Sequence, residues 1–285
     1  MEPVQRHSLE MAQYFVDFCQ QHNLLCFVCG GGAIGALRHQ GFIPWDDDLD
    51  FFMPRSDYEQ LTQLWPQYAD ERYFLSRSNL NYIDRNNFIT IRDRQTTCVK
   101  PYQVDLSLPH GFALDILPLD YAPASAFKRK VQKAWALVYS LFCAQTVPEK
   151  HGGLMAWGSK ALLTIFRGQR VRAAIWQLAQ KQMTRYTKEQ AAYWVELCSG
   201  PYYMRKVYPL TAFESAVWVP FEQTTLPLPV GYDAYLTEAF GDYMTPPPMN
   251  DQKPHHDALL LDFENSYTVY QEEIDRLVKE RGIKR

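Results

Sequence analysis

The sequence predicts an α+β fold in which a mixed sheet carries an inserted helical subdomain. Short apolar segments at residues 24–29, 48–53, 73–76, 88–93 and 112–117 have the length of strands, and regular β-α alternation does not connect them. From residue 125 to about residue 197, long helical patterns replace these strand signals. The remaining chain is rich in proline and aromatic residues and closes with a helical pattern at residues 267–281.

These changes of sequence pattern divide the chain of 285 residues into three predicted parts. Residues 1–124 form an α/β core that holds the candidate site. Residues 125–200 form the helical subdomain, where cationic residues flank apolar helices. Residues 201–285 wrap the core as an ordered segment, because a long aromatic-rich stretch is unlike a disordered one, and their final helix completes the core.

Composition and charge exclude several classes of protein. The chain is 47% hydrophobic and 21% charged, which is typical of a globular protein, and its net charge of −3 gives no field that attracts nucleic acid. The N-terminus has the periodicity of an amphipathic helix and lacks the apolar region of a secretion signal. We therefore expect a cytoplasmic protein, at the inner face of the membrane if its acceptor is lipid-linked, with six reduced cysteines.

The first half of the core is predicted in this order: an N-terminal helix, a strand at 24–29, a glycine turn, and a short helix through 36–39. A turn at 41–44 precedes a strand at 48–53. Ser56 and Glu59 match a capping box, S-x-x-E, that opens a helix through residue 64. Further along the chain, a short helix at 233–240 interrupts the wrapping segment.

The most informative stretch is "GGGAIGALRHQGFIPWDDDLDFFMPR", residues 30–55. Three glycines follow an apolar strand, and four aspartates, Asp46, Asp47, Asp48 and Asp50, follow within twenty residues. Carboxylates this close repel one another unless a cation lies among them. Because Asp48 and Asp50 alternate with apolar residues, the pattern predicts that both lie on one face of a strand.

A calcium-binding loop and a dinucleotide-binding turn both fit this stretch poorly. A calcium-binding loop would need glycine where Phe51 stands and a glutamate where Asp57 stands. The glycines match G-x-G-x-x-G, but a dinucleotide-binding unit has one acid at its second strand rather than four, and a regular β-α-β pattern does not continue. A solvated acidic turn without a ligand is the structural alternative, and it does not account for the alternation at Asp48 and Asp50.

A metal-dependent phosphoryl-transfer site fits the stretch best. Glycines at the start of a helix let backbone N–H groups approach a phosphate, and carboxylates supply the hard oxygen ligands of Mg²⁺, with Mn²⁺ as the alternative metal. Asp115 lies within the apolar segment "GFALDILPLD", where an unpaired acid would be unfavourable. The sequence therefore predicts a metal site at Asp46, Asp48, Asp50 and Asp115.

The motif "GALRHQGFIPWDDDLDFFMPRSDYEQL" resembles the signature of the LicD family of phosphocholine transferases, whose relatives include fukutin and the fukutin-related protein. The segments "GFALDILPLD" and "FEQTTLPLPVGYDAYLTEAFGDYMTPPP" and the pair His255 and His256 are similar to the same family and follow in the same order. Residues 125–200 carry no matching motif. One departure is Gly32, where the family usually has threonine.

The resemblance implies a nucleotidyltransferase-like fold and the transfer of a phosphorylated head group from a CDP-linked donor to a sugar hydroxyl. CDP-choline is the expected donor, and teichoic acid or lipopolysaccharide is the expected acceptor. Asp48, Asp50 and Asp115 are the expected catalytic residues. The expected donor-binding residues are Gly31, Gly32, Arg38, His255 and His256.

Four aromatic residues are candidates for a box around the quaternary ammonium group of choline: Trp45, Tyr232, Tyr235 and Tyr243. Three alternatives to this function remain at the level of sequence. The donor is another CDP-linked compound such as CDP-ribitol or CDP-glycerol, the protein is a non-catalytic module that binds glycans or partner proteins, or it is a nicotinamide-dependent oxidoreductase. The basic helices of the middle part further suggest peripheral contact with an anionic membrane.

Overall fold

A computed structural model describes residues 1–145, 154–252 and 258–281 of the chain. The helices in these ranges are α1 (Pro3–Gln21), α2 (Gly30–His39), α3 (Arg55–Tyr68), α4 (Ala126–Ala144), α5 (Leu154–Ile165), α6 (Gln169–Met183), α7 (Tyr232–Phe240) and α8 (Gln271–Glu280). The strands are β1 (Phe27–Cys29), β2 (Asp50–Pro54), β3 (Tyr73–Ser76), β4 (Ile89–Asp93), β5 (Thr97–Val99), β6 (Ala113–Ala122), β7 (Tyr193–Glu196), β8 (Tyr208–Pro209), β9 (Ala216–Phe221), β10 (Thr224–Pro229) and β11 (Leu260–Asp262).

The chain divides into two compact units, which are described separately. The first unit contains residues 1–76, 89–118 and 208–285, and the second contains residues 77–88 and 119–207. The helical subdomain predicted at residues 125–200 therefore falls inside the second unit. The returning C-terminal segment belongs to the first unit, together with the N-terminal α/β elements.

The sheet of the first unit has the strand order β1-β2-β6-β4-β3. Strand β1 runs antiparallel to β2, and β4 runs antiparallel to both β3 and β6. The apolar residues of these strands are buried with the inner face of α1, including Phe15, Phe27 and Phe51. The α+β prediction is confirmed, and the architecture is that of a nucleotidyltransferase-like fold.

The wrapping segment contains a hairpin that the sequence analysis missed. Strands β9 and β10 pair antiparallel across a two-residue turn, and Glu222 adopts a positive φ of 52° in that turn. The turn is tied to the loop after α2, because Glu222 N donates to Gln40 O at 2.7 Å and Phe42 N donates to Glu222 Oε1 at 3.1 Å. The predicted helix at 233–240 is confirmed as α7.

Several predicted boundaries differ from the structure. The glycines 30–32 form the first turn of α2 and not a separate turn, and β2 begins at Asp50, so Asp48 precedes the strand. The capping box at Ser56 does not form: α3 begins at Arg55, and Arg55 Nη1 pairs with Glu59 Oε1 at 3.4 Å. Strand β7 interrupts the end of the stretch predicted to be helical.

The second unit packs α4 against α6 around buried residues that include Tyr139, Phe142, Trp176 and Met183. Its strand β7 pairs antiparallel with the last residues of β6, from Leu119 opposite Glu196 to Ala122 opposite Tyr193. No helix in the described ranges is long and apolar enough to cross a membrane. All six cysteines, at positions 19, 26, 29, 98, 143 and 198, are buried and free of disulfide bonds.

Candidate active site

The site is built where β1 leads directly into α2. Cys29 ends β1 in an extended conformation, and Gly30 has a φ of +56°, a left-handed conformation that favours glycine. The N–H of Gly30 donates to the hydroxyl of Tyr235 at 3.0 Å. This hydrogen bond joins the N-terminus of α2 to α7. The first turn of α2 lies next to the loop of residues 46–50.

The acidic loop, residues 46–50, lies against this first turn. A Cβ atom at Gly31 would overlap Oδ2 of Asp46, so only glycine leaves room for the carboxylate. Burial, the charge of Asp48 and a hydrogen bond with Asp48 together raise the pKa of Asp46 to about 7. The loop is held from α1, because Gln5 Nε2 donates to Asp46 O at 2.8 Å.

Asp50 and Asp115 extend the cluster into the sheet. Asp50 begins β2 opposite Cys29, and Asp115 lies in the neighbouring strand β6 opposite Thr90 of β4. Burial and then the charges of Asp48 and Asp115 raise the pKa of Asp50 well above its usual range. The structure therefore brings Asp46, Asp48, Asp50 and Asp115 into one electrostatically coupled group, although Asp48 is exposed.

Lys100 is a residue of this group that the sequence analysis missed. It follows β5, and the charge of Asp115 raises its pKa above the usual value although burial acts in the opposite direction. Lys100 also acts on Asp50, whose pKa it lowers. Its only signal in the sequence is a lysine after an apolar strand, which is common on protein surfaces. The sequence also gave no indication that Gln5 would hold the acidic loop through its hydrogen bond to Asp46 O.

The carboxylates do not form a complete ligand cage by themselves. Within the described ranges, no three His, Cys, Asp or Glu side chains are arranged to hold a metal ion. One oxygen is nevertheless left without a hydrogen-bond partner, because Oδ1 of Asp115 is buried and unsatisfied. A buried carboxylate oxygen without a partner is unfavourable unless a ligand or ion completes it.

The proposed donor-binding residues fall into different environments. Arg38 donates through Nη1 to Tyr243 O at 3.3 Å, which joins α2 to the segment after α7. Gly32 is buried, and a Cβ at this position would press on Leu49 Cδ2 and Val28 Cγ2. A side chain at position 32 would therefore point into the core. His255 and His256 lie outside the described residues.

The four aromatic candidates for the choline box also differ in their burial. Tyr235 is 2% exposed, and its ring packs against those of Phe52, Phe213 and Tyr208. Tyr243 is half-buried, and its hydroxyl donates to Asp233 Oδ1 at 2.8 Å; burial and this bond raise the pKa of Tyr243 to about 12. Trp45 and Tyr232 are also half-buried. Tyr235 thus packs in the core, whereas the other three keep accessible surface.

The topology disagrees with a dinucleotide-binding fold. In that fold the glycine turn connects two parallel strands through a helix. Here β1 and β2, which flank α2, pair antiparallel. The strand that follows the acidic loop also differs from the helix that follows a calcium-binding loop of the EF-hand type.

Several known proteins are similar to the part of the chain that contains the aspartates. Residues 23–130 match the family described as LicD/FKTN/FKRP, nucleotidyltransferase domain. Over 257 residues, the chain is 28% identical to the lipopolysaccharide cholinephosphotransferase LicD of Haemophilus influenzae, in an alignment that covers 87% of this chain and 92% of that protein. An uncharacterized protein of Rickettsia prowazekii is 39% identical over 60 residues, 21% of this chain and 23% of its own. A second one, from Rickettsia typhi, is 33% identical over 82 residues, 28% of this chain and 26% of its own.

The fold and these matches define an enzyme, a phosphotransferase of nucleotidyltransferase-like architecture. Residues 23–130 are similar to the nucleotidyltransferase domain of the LicD family, as the motifs in this stretch indicated. The similarity to a family of enzymes favours a transferase over the non-catalytic module and over the oxidoreductase.

Proposed function

We propose that this enzyme transfers phosphocholine from CDP-choline to a hydroxyl group of a cell-surface glycan, with Mg²⁺ bound at the aspartate cluster. The observation that carries the proposal is a coupled group of four carboxylates, one of which, Asp46, contacts Gly31 in the first turn of α2. Phosphocholine and lipopolysaccharide are suggested by the H. influenzae relative, which is a lipopolysaccharide cholinephosphotransferase. Teichoic acid is the second acceptor type that the resemblance implies.

The residues fit a hard divalent cation. The donor set consists of carboxylate oxygens, which Mg²⁺ and Mn²⁺ prefer, and the charges of the neighbouring aspartates raise the pKa of Asp50, an effect that a bound cation would oppose. In phosphoryl-transfer sites Mg²⁺ is usually held by one or two carboxylates together with substrate phosphates, so a complete protein cage is not required. We assign Asp48 and Asp50 as its main ligands and Asp46 as a further one. When bound, the cation supplies positive charge that offsets the diphosphate.

The N-terminus of α2 would receive the donor phosphates. Backbone N–H groups and the helix dipole favour an anion at this position, and Gly31 and Gly32 lie in the first turn. The carboxylate of Asp46 lies at the same turn. A phosphate would be repelled there by Asp46 alone, which is a further reason for a cation between the two. Arg38 would add a charged contact if it exchanged its bond to Tyr243 O for a phosphate oxygen.

The proposed reaction is a displacement at phosphorus. The oxygen of the acceptor hydroxyl forms a bond to the phosphorus of phosphocholine, the bond from that phosphorus to the bridging oxygen breaks, and CMP leaves with the electron pair. Asp115 takes the hydroxyl proton, provided that the hydroxyl lies within hydrogen-bond reach of its unpartnered oxygen. Lys100 stays charged beside Asp115 and stabilises that carboxylate.

The choline group would be recognised by aromatic rings through cation–π contacts. Trp45, Tyr232 and Tyr243 are the candidates that keep accessible surface, whereas Tyr235 is enclosed in the core. The family motif extends the donor site to His255 and His256. The alternative donors, CDP-ribitol and CDP-glycerol, carry no ammonium group and would gain nothing from such a box.

The test combines binding and turnover. Thermal shifts would be measured with CDP-choline, CDP-ribitol, CDP-glycerol, CTP and NADH, each with Mg²⁺ and with EDTA, and CMP release would be followed with lipopolysaccharide or teichoic acid as the acceptor. We expect a Mg²⁺-dependent shift and CMP release with CDP-choline, because a ligand at about 100 times its Kd stabilises by about 2.7 kcal/mol. Asp50→Asn should abolish both, and the exposed Asp17→Asn on α1 should change neither. A shift with another CDP-linked compound alone would reject choline as the head group.

A further inference from the structure

The second unit has a strongly cationic surface. Between residues 121 and 188 the sequence contains twelve lysines and arginines and a single acidic residue, Glu149, whereas the whole chain has 29 basic and 32 acidic residues. Four acidic residues are described in the second unit, and three of them, Asp84, Asp120 and Glu196, are buried. The positive charges of this unit are thus barely balanced at its described surface.

Large apolar side chains are exposed on the same unit. On α5, Trp157 is 71% exposed and Ile165 is 70% exposed, and their separation of eight residues places them on one side of the helix. Leu162 and Phe166 are also exposed. Isolated exposed apolar residues are common, but four large ones within the ten residues 157–166 indicate an interaction surface.

Charged residues surround this group. Lys160, Arg167 and Arg170 are exposed along α5 and at the start of α6. The turn between these helices is held by Arg172, which donates to Leu163 O at 2.8 Å, to Phe166 O at 3.0 Å and to Gln145 Oε1 at 3.0 Å. The apolar side chains and their flanking cations are therefore presented by a hydrogen-bonded hairpin of helices.

A cavity of about 540 Å³ opens beside α5 within the same unit. It lies among α4, α5 and the loop 198–204, and its volume is in the range of pockets that enclose small molecules. Its wall is mainly apolar: Leu137, Val138, Leu141, Ala144, Leu162 and Met204. Leu162 belongs both to this wall and to the exposed group on α5.

We propose that α5 and the start of α6 form a docking surface for an anionic lipid bilayer, and that the neighbouring cavity receives one acyl chain. Exposed aromatic and aliphatic residues flanked by lysine and arginine suit the boundary between acyl chains and anionic headgroups. A nucleic acid would match the charge but not the exposed Ile165, Leu162 and Trp157. The proposal concerns peripheral association, and it holds whichever CDP-linked donor the enzyme uses.

The experiment measures binding of the full-length protein to vesicles by sedimentation. We expect binding to vesicles of phosphatidylcholine with about one-third phosphatidylglycerol at low salt, and at least a tenfold loss of affinity with phosphatidylcholine alone or at high salt. Trp157→Ser with Ile165→Ser, and separately Lys160→Gln with Arg170→Gln, should each weaken binding at least tenfold. The matched control is Met249→Ser with Val269→Ser, which removes two similarly exposed apolar side chains of the first unit. Hydrogen exchange should slow at 157–170 when vesicles are added.

The cavity is tested separately. Dihexanoyl phosphatidylglycerol below its micelle concentration should bind the wild type, and Ala144→Trp, which fills the cavity, should lose this binding while its melting temperature stays near that of the wild type. If Ala144→Trp does not fold, Leu162→Trp takes its place. Equal binding by wild type and filled variants would overturn the acyl-chain site. Absence of sedimentation with anionic vesicles at low salt, or equal displacement by transfer RNA, would overturn the docking surface. The thermal shift with CDP-choline decides the donor independently of both outcomes.

Discussion

Gly31 and Asp46 are in direct contact, because the Asp46 carboxylate occupies the space that a Cβ atom at position 31 would need. No larger residue fits at position 31 without moving that carboxylate, since the atom that a Cβ would meet is its Oδ2. The glycine is therefore needed for the position of an acid fifteen residues away, and not only for the approach of phosphate. This contact joins the two halves of the motif at residues 30–55.

Gly31→Ala should displace Asp46 and weaken Mg²⁺-dependent binding of the donor. We expect at least a tenfold rise in the Kd of CDP-choline with Mg²⁺, measured by calorimetry, because one carboxylate of the cluster leaves its place. Gly158→Ala on α5 is the matched control, since it also replaces a helical glycine but its Cβ meets no atom within 4 Å. An unchanged Kd for Gly31→Ala would contradict a role of Asp46 in the site.

Lys100→Met should destabilise the protein in the absence of metal. The substitution removes the cation that lies beside Asp115 and acts on Asp50, and the remaining carboxylates then repel one another without compensation. Because the Lys100 residue keeps some accessible surface, we expect a loss of about 2 kcal/mol in the free energy of unfolding, less than for a fully buried pair. Urea unfolding with EDTA measures this loss.

A double-mutant cycle checks the cause of that loss. Asp115→Asn in the Lys100→Met background should restore part of the stability, because it removes one of the uncompensated charges. Mg²⁺ should raise the melting temperature of Lys100→Met more than that of the wild type. Lys279→Met, on the exposed face of α8, should leave both quantities unchanged. Additive effects of the two substitutions would mean that Lys100 and Asp115 do not interact.

Tyr235→Phe should lower stability without changing the recognition of choline. The phenol oxygen accepts the hydrogen bond from Gly30 N at 3.0 Å, and its loss leaves that N–H without its partner. We expect a loss of about 1–3 kcal/mol in the free energy of unfolding. In Tyr235→Phe, the ratio of the Kd of CDP-choline to that of CTP should stay constant, because the Tyr235 ring is buried. Trp45→Ala should raise that ratio. A higher ratio of the Kd of CDP-choline to that of CTP in Tyr235→Phe would mean that Tyr235 contacts choline.

The sequence predicted the acidic cluster better than it predicted the backbone that carries it. The density of aspartates indicates that a cation is needed, whichever element holds them, and the apolar neighbours of Asp115 place it in a strand. The strand boundary at Asp50 and the start of α2 at Gly30 depend on pairing between β1 and β2. Local patterns do not contain that pairing. Lys100 enters the cluster through the tertiary fold and carries no distinctive local pattern.

Two local predictions failed for identifiable reasons. Glu59 pairs with Arg55 one turn earlier, which leaves Ser56 inside the helix instead of at its cap. The β9–β10 hairpin was missed because Pro220, Pro227 and Pro229 weaken the strand pattern. Its turn also lacks the glycine or asparagine that usually marks a two-residue hairpin, and Glu222 takes the positive φ instead.

The burial of Glu196 leads us to expect an unusual dependence of the free energy of unfolding on pH. Its Oε1 accepts hydrogen bonds from Cys198 N and from Ser199 N, but its Oε2 is buried without a partner, and burial raises its pKa to about 7. A carboxyl whose folded-state pKa lies above the unfolded value near 4.5 binds more protons when folded. Its contribution to stability is therefore complete below about pH 4.5 and is lost as the pH rises through 7.

Glu196→Gln should remove this dependence. At pH 5 the variant and the wild type should have similar free energies of unfolding, because the wild-type side chain is then largely neutral in the folded protein. At pH 8 the variant should be more stable by roughly 3 kcal/mol, since the pKa rises from 4.5 to about 7 and one pKa unit corresponds to about 1.4 kcal/mol. Urea unfolding at both pH values measures the difference, and Glu189→Gln, on an exposed residue seven positions earlier, is the control. Parallel pH profiles for wild type and Glu196→Gln would mean that Glu196 is ionised in the folded protein throughout this range.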